Sequence, residues 1–468
     1  MVFSSPIFLF AFLPIVLLAS LALGKKAQNP LLLLASLFFY AWGEPIFVLA
    51  LLVSIGFNFA IGRALDAKES NRLVWLSFGV ALNLSMLVAL KYGVFVLENL
   101  SALPGAAWLV RASASWPAMP IGISFYTFQA LSYLVDVYRG ECRARNSIAG
   151  VGLYLSLFPQ LIAGPIVRYS EIEWQLEKRE RSVSMIGEGA LRFVRGLAKK
   201  VLIADTLAIA ADMSFDAEPG TLSMALAWFG LLCYGFQLYF DFSGYSDMAI
   251  GIGRMLGFRF PENFDFPYSA KSVREFWRRW HMTLSRWFRD YLYIPLGGNR
   301  KSLGRVGLNL MVVFALCGLW HGASWSFLIW GLSHGVFLVL ERSKFGDFLA
   351  RCPSLLQRVY LMGVVFLGWV LFRSDSLEAA ADFCSALFGG TSAGLVNLET
   401  IGTEVYVALG IAVAFSTPTL QALWRRWNHS ESSFFGGILT RSIALIVLAL
   451  CMATVASNTY SPFLYFRF

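Results

Sequence analysis

Charge is what this chain has least of. Asp, Glu, Lys and Arg make up 14% of its 468 residues, whereas 57% are hydrophobic. Soluble domains carry about 25% charged residues, so a water-exposed surface cannot be built from this composition and lipid is the expected solvent. Histidine is scarcer still, with four in the chain. The six cysteines (Cys142, Cys233, Cys317, Cys352, Cys384 and Cys451) contain no CxxC pair and sit mostly in or beside apolar runs. They read as apolar fillers, and no metal site is expected. No internal repeat is visible, which counts against an inverted-repeat transporter. No basic stretch precedes the first apolar run, from Ile7; Lys25 and Lys26 follow it instead. That order argues against a cleaved signal peptide and for a retained first span with its N-terminus outside.

What the chain does have is apolar length and aromatic rings. The net charge of +9 comes largely from Lys and Arg in short loops between apolar runs. Loop cations of this kind report membrane topology, so no nucleic-acid partner is expected. A helix needs about 20 apolar residues to cross the hydrocarbon core. Clear candidates are Ile7–Leu23, Leu73–Leu90, Leu222–Phe240, Leu308–Trp320, Ser324–Leu340, Val359–Phe372, Val405–Phe415 and Gly436–Val455. Leu31–Ile61 is too long for one span and is interrupted at Trp42–Pro45, so it is either a hairpin or a broken helix. Ile121–Val135 and Ile148–Ile162 are short, with Pro159 and Pro165 at or near the end of the second. Tyr169–Arg181 carries charges of both signs and reads as a solvated loop or surface helix. The expected fold is all-α: one polytopic membrane domain over residues 1–468, with roughly ten to twelve helices, some re-entrant. Irregular backbone at membrane depth needs protein or a water-filled cavity around it, so the Gly and Pro interruptions predict a cavity.

Three constellations could carry chemistry. His321 lies in Trp320–Trp325, between two apolar segments, with Gly322 and Ala323 leaving room beside the ring. Ionisable groups at this depth usually face an interior, and imidazole suits proton transfer near neutrality; a structural histidine bonded to a carbonyl is the alternative. His334, thirteen residues on, would sit about 220° around an unbroken helix and reads as structural. In the second constellation, Trp277, Trp280, His281 and Leu284 follow i, i+3, i+4, i+7 spacing, the pattern of one helix face. Either this is a basic amphipathic helix at the membrane interface, or His281 faces a cavity while Arg278 and Arg279 meet phosphates. The third is Tyr239–Asp247, where Asp241 and Asp247 follow a long apolar run. These carboxylates either orient a histidine or pair with the arginines downstream; alternatively, Asp241 or Ser243 caps the next helix.

At these residues the chain resembles the membrane-bound O-acyltransferase family, and within it the bacterial branch that acetylates alginate. The resemblance is carried by Phe276–His281, Arg289–Gly298 and Leu319–Trp325. It extends to Met1–Ser5, Phe39–Glu44, Ile121–Gln129, Asp136–Arg139, Phe158–Pro165, Tyr239–Asp247 and Pro261–Phe264, nearly the whole chain in order. It implies a helical body around a funnel or tunnel, with His321 at the family's catalytic histidine and His281 at its second histidine position. The resemblance further implies transfer of an acetyl group from a cytoplasmic thioester, with acetyl-CoA as donor substrate and no bound cofactor. The product would be an O-acetylated exopolysaccharide such as alginate or cellulose, made with periplasmic acetyltransferases and a polysaccharide synthase and export complex. The setting would be the inner membrane of a bacterium. Arg278 and Arg279 are expected on carrier phosphates, and Trp280, Trp320, Asp241, Asp247 and Asn263 are expected to bind or orient substrate. D-alanyl transfer to teichoic acid, a lipid-linked-sugar transporter and a non-catalytic scaffold remain open alternatives.

Overall fold

The computed structural model describes every residue except 68–70, 118, 391–397, 421, 424–433, 458–462 and 465–468. The described residues are helical, with no β-sheet among them. They form two compact units: Met1–Phe193 with Ser246–Pro261, and Val194–Tyr245 with Glu262–Phe468.

Among the described residues, five helices are long and apolar enough to cross a membrane: Val48–Asp66, Arg72–Ser101, Leu303–His321, Ser354–Arg373 and Gly437–Ser457. Phe8–Ala22, Trp325–Leu340 and Thr403–Phe415 are apolar but shorter. Many of their large apolar side chains face outward. Leu73, Val74 and Phe78, for example, are more than half exposed. Outward-facing apolar side chains along several such helices are unsuited to water and suited to lipid.

In the first unit, the ambiguous apolar stretch resolves into two helices, Lys25–Gly43 and Val48–Asp66, separated at Glu44–Phe47. The side-chain amides of Asn58 and Asn83 exchange hydrogen bonds at 3.1 and 2.9 Å. This pairing satisfies both amides away from water and ties two apolar helices together. Ile123–Arg139 is a core helix, buried at all but a few positions. It starts after Gly122 at φ +82°, where a Cβ would stand 2.8 Å from the Leu161 carbonyl oxygen. Lys91, buried within Arg72–Ser101, donates to Ser124 Oγ at 3.1 Å. Ile148–Ser156 stops at Leu157 before Pro159, and the short Phe158–Leu161 turn follows. Tyr169–Glu177 is a helix whose Tyr169, Ile172 and Leu176 face is buried, so it is neither a loop nor wholly on the surface.

In the second unit two expectations are corrected. Tyr239–Asp247 does not end a helix: Met224–Met255 continues through it for 32 residues, its last part belonging to the first unit. Asp241 and Ser243 therefore cap nothing. The helix persists because its acids are neutralised from the side, Asp241 by Lys200 at 2.9 Å and, in the first unit, Asp247 by Arg192 at 2.7 Å. Likewise, Trp277–Leu284 is not one amphipathic helix. Val273–Arg279 ends at Trp280, whose backbone is extended, and Met282–Phe288 begins after His281 at φ +41°. The i, i+4 geometry of a single helix is lost at the histidine itself.

Candidate active site

The site is built in the second unit by a tight helical hairpin. Leu303–His321 ends in His321, and Ser324 starts Trp325–Leu340 by accepting a hydrogen bond from the Phe327 amide. The two helices meet through glycines: a Cβ on Gly318 would stand 2.2 Å from the Phe327 carbonyl oxygen, and one on Gly331 2.2 Å from that of Phe314. Small residues allow such close backbone approach, and it brings His321 against Trp330. The His321 ring centroid lies 5.0 Å from Trp320, 5.1 Å from Trp330 and 5.3 Å from Phe372, all in edge-on arrangements. Edge-to-face contacts of this kind are the favoured geometry between aromatic rings, and they fix the imidazole within an apolar wall.

His334 shares that wall. The angle expected for an unbroken helix does not apply, because the chain turns back between the two histidines. Trp330 lies 5.1 Å from both His321 and His334, ring to ring. Trp277 Nε1 approaches His334 Nδ1 at 3.3 Å. An indole N–H can only donate, so Nδ1 is the acceptor and the neutral His334 ring carries its hydrogen on Nε2. Sequence reasoning passed over Trp330 as span filler; its i, i+4 pairing with His334 was the available signal.

His281 is fully buried and is one of two non-glycine residues at positive φ among the described residues, Phe266 being the other. Asn263 holds it there. Asn263 Oδ1 takes the Thr283 amide N–H at 3.3 Å and the Thr283 hydroxyl at 2.9 Å, and lies 3.1 Å from His281 Nδ1. A backbone N–H must donate, so that Asn263 atom is the oxygen and His281 Nδ1 must donate to it. The neutral ring then has its lone pair on Nε2. Burial pushes the His281 pKa down to about 3, so the ring is neutral at physiological pH. Phe242 stands edge-on to it at 4.7 Å, and Trp320 at 6.0 Å. Trp320 thus touches both His281 and His321.

The remaining expected residues divide. Asn263 and Trp320 contact the histidines directly. Trp280 stacks on Phe276 at 5.4 Å and meets Trp369 at 5.2 Å, and so joins the same aromatic cluster. Arg279 is engaged by Glu275 at 2.9 Å and Asp265 at 3.5 Å, whereas Arg278 is exposed and makes no ion pair among the described residues. Asp241 accepts the Leu464 amide N–H at 2.9 Å besides pairing with Lys200, so its bonds go to neither histidine. Asp247 lies in the first unit on Arg192.

An all-helical chain with several apolar spans and buried imidazoles has the build of a multi-pass membrane protein. The family model for membrane-bound O-acyltransferases matches residues 141–372. A probable alginate O-acetylase of Pseudomonas putida is 40% identical over the full length of both chains, and one of Azotobacter vinelandii is 38% identical, likewise end to end. A peptidoglycan O-acetyltransferase of Helicobacter pylori is 35% identical over this whole chain and 98% of its own length. The chain belongs to the membrane-bound O-acyltransferase family and is an O-acyltransferase.

Proposed function

We propose that the protein moves an acetyl group from acetyl-CoA on the cytoplasmic side of the inner membrane toward an acceptor outside, for O-acetylation of an exopolysaccharide such as alginate or cellulose. The observation that carries this reading is His321, held at a helix end by Trp320, Trp330 and Phe372, in a chain matched end to end by O-acetylases. His321 removes the proton as the acceptor hydroxyl attacks the thioester carbonyl. The new C–O ester bond forms, the C–S bond breaks, and the proton passes to the departing thiolate. General-base assistance of this kind contributes about 10²–10⁴-fold.

The tautomer of His281 narrows its part. With Nδ1–H committed to Asn263, the neutral ring can accept at Nε2 but has no second N–H to offer. It therefore orients a hydroxyl or amide donor of a substrate instead of stabilising an oxyanion. Arg278, exposed and without an ion pair among the described residues, is better suited to a carrier phosphate than Arg279, which is already paired. The shorter apolar helices and re-entrant pieces would complete ten to twelve membrane helices around a funnel. Periplasmic acetyltransferases would receive the acetyl group beside the polysaccharide synthase and export complex.

The test is the O-acetyl content of the secreted polymer in a deletion strain carrying wild type or His321→Ala at equal membrane levels. Loss of acetyl groups with the polymer still exported supports the reading, and unchanged acetylation leaves a scaffold or transport role. A requirement for a phosphopantetheinyl carrier protein in place of acetyl-CoA would move the assignment to D-alanyl transfer.

A further inference from the structure

The first unit contains a cavity of ≈ 930 Å³ far richer in cations than in acids. Lys25, Arg179, Arg181, Arg254 and Arg259 line it, against Glu180 and Glu188. Glu188 is already taken: Arg254 reaches it at 3.1 Å. Arg181 is fixed by Ser20, donating to its hydroxyl and its carbonyl at 2.8 Å each. Arg179 is not fixed in this way. Its guanidinium lies over the Phe258 ring at 4.4 Å, and its buried Nε and Nη1 have no hydrogen-bond partner among the described residues. Burial, and secondarily the Arg181 charge, push its pKa down to about 10. A buried donor without an acceptor is destabilising, the more so when it is charged.

An anion with several acceptor oxygens would satisfy those N–H groups and quench the repulsion between the arginines. The guanidinium fork matches phosphate geometry in particular. The space is also far larger than an inorganic ion needs, and Met185, Leu256 and Phe260 supply an apolar part of the wall. Lys25 follows the apolar Phe8–Ala22 helix within three residues, which sets the cavity at the edge of an apolar layer. We propose that this cavity is a phosphate-binding site for a ligand with an organic body, either an anionic phospholipid or the nucleotide part of a CoA thioester. The nucleotide arm rests on acetyl-CoA as donor and would place its phosphates here instead of on Arg278, whereas the lipid arm is independent of that reading. The test reads binding alone, so its failure leaves the His321 test untouched.

The full-length protein is reconstituted in phosphatidylcholine nanodiscs with and without phosphatidylglycerol. Binding of CoA and of dephospho-CoA is measured by calorimetry, and retained lipid by native mass spectrometry, for wild type and Arg179→Gln. Since hydrogen bonds to charged groups contribute about 1.5–3 kcal/mol, the variant is expected to lose roughly tenfold or more in affinity for its phosphate ligand. CoA binding that is tighter than dephospho-CoA binding, and weakened by the variant, assigns the nucleotide. Enrichment of phosphatidylglycerol that disappears in the variant assigns the lipid. Should Arg179→Gln fail to insert, the exposed Arg259→Gln is expected to weaken the same probe and Glu180→Gln to tighten it. Equal binding and equal lipid retention across wild type and all folded variants would overturn the proposal.

Discussion

The histidine cluster and the basic cavity bury polar groups by opposite means. In the second unit the imidazoles are surrounded by rings, with Asn263 and Trp277 occupying a nitrogen on His281 and His334. A neutral imidazole can be dried in this way at little cost, because its one N–H and one lone pair are easily placed. In the first unit the groups are guanidiniums, which stay charged when buried, and the protein supplies fewer acids than cations. A charged donor cannot be dried by aromatic contact alone. The first arrangement therefore holds neutral rings within aromatic walls, whereas the second is left to be completed by an anion.

The largest test of that contrast is His321→Ala. If the cluster is the place of proton transfer, kcat in an acetyl-transfer assay falls by about 10²–10⁴-fold, with membrane level and thermal midpoint little changed. A variant that instead loses its fold would make the histidine part of the packing. Next comes Asp241, whose neighbour in sequence, Phe242, stands over His281. The Lys200–Asp241 pair is almost fully buried, at 3% side-chain exposure on each side. Breaking an isolated buried pair from one side costs about 3–5 kcal/mol. Lys200 also holds Asp205 at 2.6 Å and keeps that partner, so Asp241→Ala is expected to lower the thermal midpoint by the lower end of that cost. Because Lys200→Met would strand Asp205 as well, it is combined with Asp241→Leu and Asp205→Asn, and this triple variant should recover much of that loss. If Asp241 served catalysis, the triple variant would regain stability and stay inactive.

These contrasts were only partly legible in the sequence. His281, His321 and Asn263 carried their signal in local strings, and the structure brings all three into one aromatic cluster. Trp330 and His334 were hidden because an apolar helix gives the same composition whether its rings face lipid or line a site. The i, i+3, i+4, i+7 stripe misled in another way. Two seven-residue helices joined at a left-handed histidine reproduce that spacing without the continuous face it implies. The long Met224–Met255 helix was cut short because its acids looked unaffordable at that depth, and Lys200 and Arg192, which neutralise them, lie some 40 to 55 residues earlier in the chain. The basic cavity was invisible for the same reason: Lys25, Arg179 and Arg259 are far apart in sequence, and each alone reads as an ordinary topological charge.

A smaller effect is expected at Asn263. Asn263→Ala leaves the His281 and Thr283 donors without their shared acceptor, at a cost of about 1–3 kcal/mol. It also frees the His281 tautomer and the left-handed turn. Acetyl transfer should fall through kcat more than through KM, because the ring stays in place but no longer presents a fixed Nε2. Asn263→Asp, which keeps the acceptor, should recover most of the stability. A carboxylate facing Nδ1 also favours the imidazolium, so the pH profile of this variant should shift upward. An Asn263→Ala enzyme with unchanged kcat would reduce the Asn263–His281 contact to packing.

The smallest effect separates the two regions by pH alone. His281 has an ordinary pKa of 6.5 and is pushed down to about 3 by burial. Between those values the unfolded chain binds a proton that the folded chain refuses, so stability falls as pH drops through the upper part of this window. From pH 7 to 6 the loss due to this one group is expected to be under about 1 kcal/mol, and it steepens below pH 6. His281→Asn removes the titrating group, and its thermal midpoint in detergent should decline less over pH 7 to 5 than that of wild type. The arginine-lined cavity contributes nothing to this slope, because guanidiniums do not titrate there. Arg179→Gln should therefore run parallel to wild type over the same range. If His281→Asn runs parallel to wild type as well, the ring is not held neutral by burial, and the reading of its Nε2 as an acceptor falls with it.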